Sequence, residues 1–315
     1  MKKKIKLMIL LLLTVIFFGF IFIWKYGGNY NIYLIPPSPK KYGEIALNKI
    51  DNLGLYTKSK AWEVKKQETM AEFDHAKTID DTIKPLEDAL KIACGKHGSI
   101  YQDNPDSNQF DVMMPTGKIE NNVLILTVPT FTGDSDEGKR YAEIITENLY
   151  KATYKGIILD FRDNNGGDMG PMVTGLAPIL SDGNLIGFID KNNHDTKVSL
   201  KNGMVKNGGS SVSINNQKKI AKVPIAILIN GQTGSSAEIT VLCFAGKHDI
   251  QLFGQPSAGY TSANSQVNLY DGRVMQITSA KIKDARGRVY DNQKIMPNVE
   301  TNEPLDAALN WLNNN

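Results

Sequence analysis

The chain has 315 residues, 41% of them hydrophobic, with a formal net charge of +3. That length suits one large core plus a smaller helical portion. Lys2, Lys3, Lys4 and Lys6 crowd the amino terminus, no basic stripe follows, and nucleic acid is excluded as an expected partner.

Leu7 to Trp24 is an unbroken non-ionic run, LMILLLLTVIFFGFIFIW, about long enough to cross a bilayer as a helix. It ends in Phe-Ile-Phe-Ile-Trp-Lys-Tyr, with neither an Ala-x-Ala site nor a lipid-attachment cysteine. The expectation is an uncleaved signal-anchor over residues 1–26, lysines in the cytoplasm and Trp24 and Tyr26 at the far interface. The rest of the chain then lies outside the cytoplasm, on a single-pass membrane protein. Residues 27–43, with Pro36, Pro37 and Pro39, read as a semi-rigid linker.

Residues 44–100 read as a helical subdomain. Ile45, Leu47, Ile50, Leu53 and Leu55 fit one amphipathic helix, and Trp62, Val64, Met70 and Phe73 a second. Thr78-Ile-Asp-Asp81 has capping-box spacing ahead of a third helix, which carries Ile83, Leu86, Ala89, Leu90 and Ile92 and stops at Gly95. His97 and Ser99 follow in a segment read as extended. The other histidines, His75, His194 and His248, sit where solvent exposure is the simplest account. Cys94 and Cys243 lie in apolar helical sequence; they read as buried free thiols or, in an exported protein, as one disulfide pair, and the sequence leaves the two open.

Residues 101–315 read as an α/β core domain. A strand over 121–129, a helix over 138–149, and a buried strand over 155–162 lead into Asp163-Asn-Asn-Gly-Gly-Asp168 and a helix over 169–180. This is the grammar of a right-handed βαβ unit. Gly166 and Gly167 follow the carboxyl end of a strand, where open α/β sheets build their sites and glycines let backbone N–H groups approach a ligand. A β-rich insert covers 186–189 and 198–214. Ile225 to Ile229 is a strand apolar on both faces; it breaks into Asn230-Gly-Gln-Thr-Gly-Ser-Ser236 and then a helix. A hydroxyl at such a strand–turn–helix junction is held as an activated nucleophile requires, although the same spacing also serves a simple helix cap. A short strand over 250–253, a glycine-containing loop over 254–264, a hairpin over 266–282 and a final helix over 304–312 complete the chain.

Taken in order, the His97/Ser99 pair, Asp160-Phe-Arg-x-Asn-x-Gly-Gly167, Thr233-Gly-Ser-Ser-Ala-Glu238, Phe253-Gly-x-Pro-Ser-Ala-Gly259 and Met296-Pro-Asn-Val299 resemble the C-terminal-processing and tricorn-type serine peptidases. The resemblance implies a crotonase-like ββα superhelix (ClpP/crotonase type) behind the amino-terminal helical bundle and the membrane helix. It implies a serine endopeptidase acting on protein or peptide substrates. Ser235, three residues before Glu238, takes the place of the nucleophile, and the N–H groups of Ser236 and of Gly166 or Gly167 that of the oxyanion hole. Where one branch of the family has a catalytic lysine, this chain has Tyr260. The tricorn-like branch, with a histidine base, an orienting serine and an acid, matches His97, Ser99 and Asp291. Gly98 separates the His–Ser pair that is usually adjacent, and the acid is aspartate rather than glutamate. The short interval between Ser99 and Asn121 leaves no room for a PDZ domain. No cofactor is implied, and His97 with Ser99 lacks zinc-ligand spacing. Two other readings use the same fold: an inactive peptide- or ligand-binding protein, and an acyl-thioester hydrolase. The sequence leaves the oligomeric state open.

Overall fold

The structure is a computed structural model and describes residues 2–102, 112–151, 153–214, 218–247 and 249–314; His248 lies outside them. The elements run α1 (Lys2–Tyr26), α2 (Pro39–Leu53), α3 (Lys60–Phe73), α4 (Ile83–Cys94), β1 (Ser99–Gln102), β2 (Thr116–Glu120) and β3 (Val123–Thr127). They continue with α5 (Ser135–Tyr150), β4 (Gly156–Asp160), α6 (Met169–Gly175), β5 (Gly183–Asp190), β6 (Asp195–Lys201), β7 (Met204–Lys206), β8 (Ile225–Ile229) and α7 (Ser236–Leu242). The last are β9 (Ile250–Gly254), β10 (Ser262–Asn268), β11 (Arg273–Lys283), β12 (Val289–Tyr290), β13 (Val299–Glu300) and α8 (Pro304–Asn313). The chain divides into two units, Met1–Pro105 with Asn264–Ser279, and Asp106–Ala263 with Ala280–Asn315.

In the first unit, α1 is exposed along its length, and its Lys4–Tyr26 stretch is long and apolar enough to cross a membrane. Helix α2 opens at Pro39, inside the stretch read as linker, for local reasons: the Ser38 side chain accepts the Lys41 N–H at 3.3 Å and Pro39 supplies a pre-set φ at the first turn. Asp81 accepts the N–H groups of Lys77 and Thr78, at 2.9 and 2.8 Å, in the expected capping box before α4. Leu47, Ile50, Trp62, Phe73, Leu86 and Leu90 of the three helices pack with Met275 and Ile277 of β11 into one core. The Trp62 indole donates to Asp51 at 2.6 Å, which satisfies the one polar atom of a ring buried in it.

In the second unit a six-stranded sheet has the order β13-β9-β8-β4-β3-β2, parallel except for the β2–β3 pair. Strand β2 is additional to the expected elements. It pairs with β3 across Asn121-Asn122, both at positive φ (51° and 62°), the conformation of a tight hairpin turn that asparagine tolerates. The pleat divides the core. Ile225, Ile227 and Ile229 face a cluster with Leu159, Tyr141 and Val173, whereas Ala226 and Leu228 face Ile158, Phe253, Ala308 and Leu312. Burial on both faces is what the continuous apolar run of β8 demands. Helix α6 stops at Gly175 and yields to a 3-10 turn over Ala177–Ile179 carrying Pro178, since proline cannot continue the helix. Strands β5, β6 and β7 form an antiparallel meander, with Ala280 to Lys283 of β11 paired to β5.

Candidate active site

Parallel strands β4, β8 and β9 end on the same edge of their sheet, and each releases a loop there: 161–168, 230–235 and 255–261. One side-chain and two main-chain hydrogen bonds lace the three together. Thr233 Oγ1 donates to the Phe161 carbonyl at 2.8 Å, the Gly234 N–H donates to the Asn164 carbonyl at 2.9 Å, and the Ala258 N–H to the Thr233 carbonyl at 2.9 Å. Asn164 is wholly buried; its amide donates to the Val128 carbonyl at 2.8 Å and its Oδ1 accepts the Gly166 N–H at 2.9 Å.

Ser235 is half-buried at the turn between β8 and α7, with φ 52° and ψ −120°. That conformation lies outside the left-handed well that non-glycine residues reach most easily, and such strain gathers at functional sites. Gly166 and Gly167 lie against it at φ 111° and 96°. A Cβ on Gly166 would come within 2.8 Å of Ser235 Cβ and 3.1 Å of the Ser236 nitrogen, and one on Gly167 within 1.8 Å of the Phe131 carbonyl oxygen. Both positions exclude a side chain. Ser236 Oγ donates to the Gly167 carbonyl at 2.5 Å. Among the described residues no acceptor faces the N–H of Gly167 or of Ser236, whereas that of Gly166 is taken by Asn164. Ser235, Ser236, Gly166 and Gly167 are therefore brought together, as two amides without acceptors beside one strained hydroxyl residue.

The sequence reading used Glu238 only to set the register, and missed its part in the site. It is fully buried. Oε2 accepts the N–H of Ser235 at 2.9 Å and of Tyr260 at 2.7 Å; Oε1 accepts the N–H of Gly259 at 2.8 Å and the hydroxyl of Ser257. Burial pushes its carboxyl above the usual range, against the pull of those four donors. The signal was available: Ser-x-x-Glu is capping-box spacing, in which the glutamate reaches back to the N-cap N–H.

Asp291 belongs to the same unit, where its carboxylate pairs with Lys281 at 2.8 Å. His97 and Ser99 belong to the first unit. His97 ends a 3-10 turn after α4 instead of lying in an extended segment, and its carbonyl accepts from Asn264 at 3.3 Å. Burial, and then the charge of Lys96, lower its pKa to about 4, so the imidazole is neutral at pH 7. Ser99 opens β1 and its hydroxyl donates to Gln276 at 3.3 Å. The intervening Gly98 has a packing reason: a Cβ there would sit 2.6 Å from Cys94 Cβ. Among the described residues no group of three His, Cys, Asp or Glu side chains could hold a metal.

The model for peptidase family S41 matches residues 122–301, which include all three loops. The chain belongs to peptidase family S41. Its members are serine peptidases, hydrolases, and this one is a PDZ-less member: nothing the size of a domain fits between Gln102 and Thr116. The chain is 46% identical over 299 residues to a nisin-resistance protein of Lactococcus lactis subsp. lactis, covering 94% of this chain and 93% of that one. It is 29% identical to the carboxy-terminal processing protease CtpA of Bacillus subtilis, over 61% of this chain and 38% of the longer relative. Among solved structures, a lipoprotein from Streptococcus agalactiae superposes with a TM-score of 0.81 at 31% identity, over 90% of this chain and 99% of that one. The photosystem II D1 C-terminal processing protease superposes at 0.57 with 13% identity, over 85% and 94%, a likeness of fold.

Proposed function

We propose that this S41 peptidase is held in the cell membrane by α1, single-pass, with its catalytic part outside the cytoplasm, and hydrolyses peptide bonds through an acyl-enzyme on Ser235. The observation that carries the reading is the strained Ser235 turn with the acceptor-less N–H groups of Gly167 and Ser236 beside it. Donors aimed at a developing oxyanion are each worth about 3 kcal/mol of transition-state stabilisation. Because Gly166 spends its N–H on Asn164, Gly167 is the donor we assign from the glycine pair. His97 is the base that takes the Ser235 proton and returns it to the leaving amine. Ser99 and Asp291 take the orienting roles they match in the tricorn-like branch. The strand order β2-β3-β4-β8-β9-β13 never reverses along the chain, which supports a crotonase-like superhelix rather than a doubly wound sheet.

The name of the Lactococcus lactis relative and the peptidase family together favour nisin, or a peptide like it, as substrate. Such a peptide meets the cell from outside, which accords with an external catalytic part. The test is full-length protein in detergent, treated with a fluorophosphonate probe and separately with nisin, the digest read by mass spectrometry. We expect labelling and nisin fragments from wild type, and neither from Ser235→Ala or His97→Ala. Wild type that takes no probe refutes the serine peptidase reading; labelled wild type that leaves nisin whole refutes only the substrate. Intact activity in Ser99→Ala or Asp291→Asn removes that residue from the mechanism.

A further inference from the structure

We propose that Glu238 is a positioning residue: its carboxylate holds the Ser235 backbone in the reactive conformation and locks the 255–261 loop to it. The inference rests on Ser235 being the nucleophile. Residue 235 has φ 52° and ψ −120°, a geometry that persists only when its surroundings over-determine it. The tie that fixes it is the N–H of Ser235 on Glu238 Oε2, 2.9 Å away. The same oxygen takes the N–H of Tyr260, and the other takes the N–H of Gly259 and the hydroxyl of Ser257. Ser257 Oγ in turn accepts the N–H of Ile295 at 2.7 Å. One buried group thus joins the nucleophile turn, the loop after β9 and the segment after β12.

The chemistry requires a carboxylate. Each oxygen faces two donors, and only an ionised acid accepts at both ends; an amide of the same shape accepts at one end and presents hydrogens at the other. A buried charge is costly to desolvate, and here four donors offset that cost. Its presence here fits a demand for geometry. The clamp has a second effect: with its own N–H turned to Glu238, Ser235 leaves Gly167 and Ser236 as the free amides at the turn.

The experiment compares wild type, Ser235→Ala, Glu238→Gln and Ser257→Ala as full-length protein in detergent, by rate of fluorophosphonate labelling, by kcat and KM on one peptide, and by thermal unfolding. We expect Glu238→Gln to unfold cooperatively yet label about 100-fold more slowly, the cost of a misplaced reacting group, with the loss in kcat and KM little changed. Ser257→Ala keeps the carboxylate on Ser235 and cuts one tie, so labelling slows about fivefold, the worth of one hydrogen bond. Glu238→Gln that is folded and labels within threefold of wild type, or loses through KM instead, overturns the proposal. Should Glu238→Gln fail to fold, Ser257→Ala decides, and labelling at the wild-type rate overturns it. Wild type that is not labelled refutes the Ser235 reading, and the clamp falls with it.

Discussion

Ser236 Oγ donates to the carbonyl oxygen of Gly167 at 2.5 Å, so the side chain after Ser235 holds down the glycine loop. This gives adjacent serines different work. Ser235→Ala is expected to abolish fluorophosphonate labelling. Ser236→Ala keeps the nucleophile and its own backbone N–H, and is expected to label about tenfold more slowly, for one lost bond to a buried carbonyl at about 1.4 kcal/mol. Intact labelling in Ser235→Ala would move the nucleophile to Ser236.

The glycine pair tolerates no side chain. Gly167→Ala places a methyl where the Phe131 carbonyl already stands, at a φ of 96°. We expect a loss of at least about 3 kcal/mol of stability, from a forbidden backbone region and a steric clash together, measured by urea unfolding, and no peptidase activity in the fraction that folds. Wild-type stability for this variant would contradict the close approach of the loop to Phe131.

The base proposed, His97, predicts an acid limit. A base works deprotonated, and burial lowers the His97 pKa to about 4. Activity carried by His97 therefore stays high as pH falls through 6.5, where an unperturbed imidazole charges, and declines as pH approaches about 4. The kcat/KM profile of the free enzyme measures this directly. A half-maximum near pH 6.5 would show an imidazole that titrates as if unburied and would overturn the expected shift.

Asn164 anchors the loop from beneath. Asn164→Ala orphans the buried Val128 carbonyl and the Gly166 N–H. Each unsatisfied buried group costs about 1–3 kcal/mol, so the variant should unfold at distinctly lower urea than wild type. A midpoint shift below about 1 kcal/mol in equivalent stability would mean that water replaces the amide.

Much of this arrangement was legible in the sequence because the signals were local. The alternation in Ile225 to Ile229 and the break at Asn230 placed β8 and its turn correctly, and Gly166-Gly167 after an apolar run marked the loop facing it. Other local signals were present but passed over. Asp134-x-x-Glu137 is a capping box, with both reciprocal bonds formed, and it starts α5 before the first apolar residue of the expected helix. Asn121-Asn122 announces the β2–β3 hairpin, yet β2 itself, Thr116 to Glu120, is largely exposed and carries little hydrophobic pattern to reveal it. What remained hidden was non-local. No spacing states that Asn164 takes the Gly166 N–H, or that Glu238 gathers donors from residues 235, 257, 259 and 260; those pairings exist only once three strand ends share an edge.

Cys94 and Cys243 are both buried free thiols, each pushed up to about 12 by desolvation. Oxidants and disulfides react with the thiolate, not the thiol, so at neutral pH neither sulfur offers a reactive form. In the folded protein burial therefore keeps both sulfurs out of disulfide exchange, whatever the redox poise of the solvent around it.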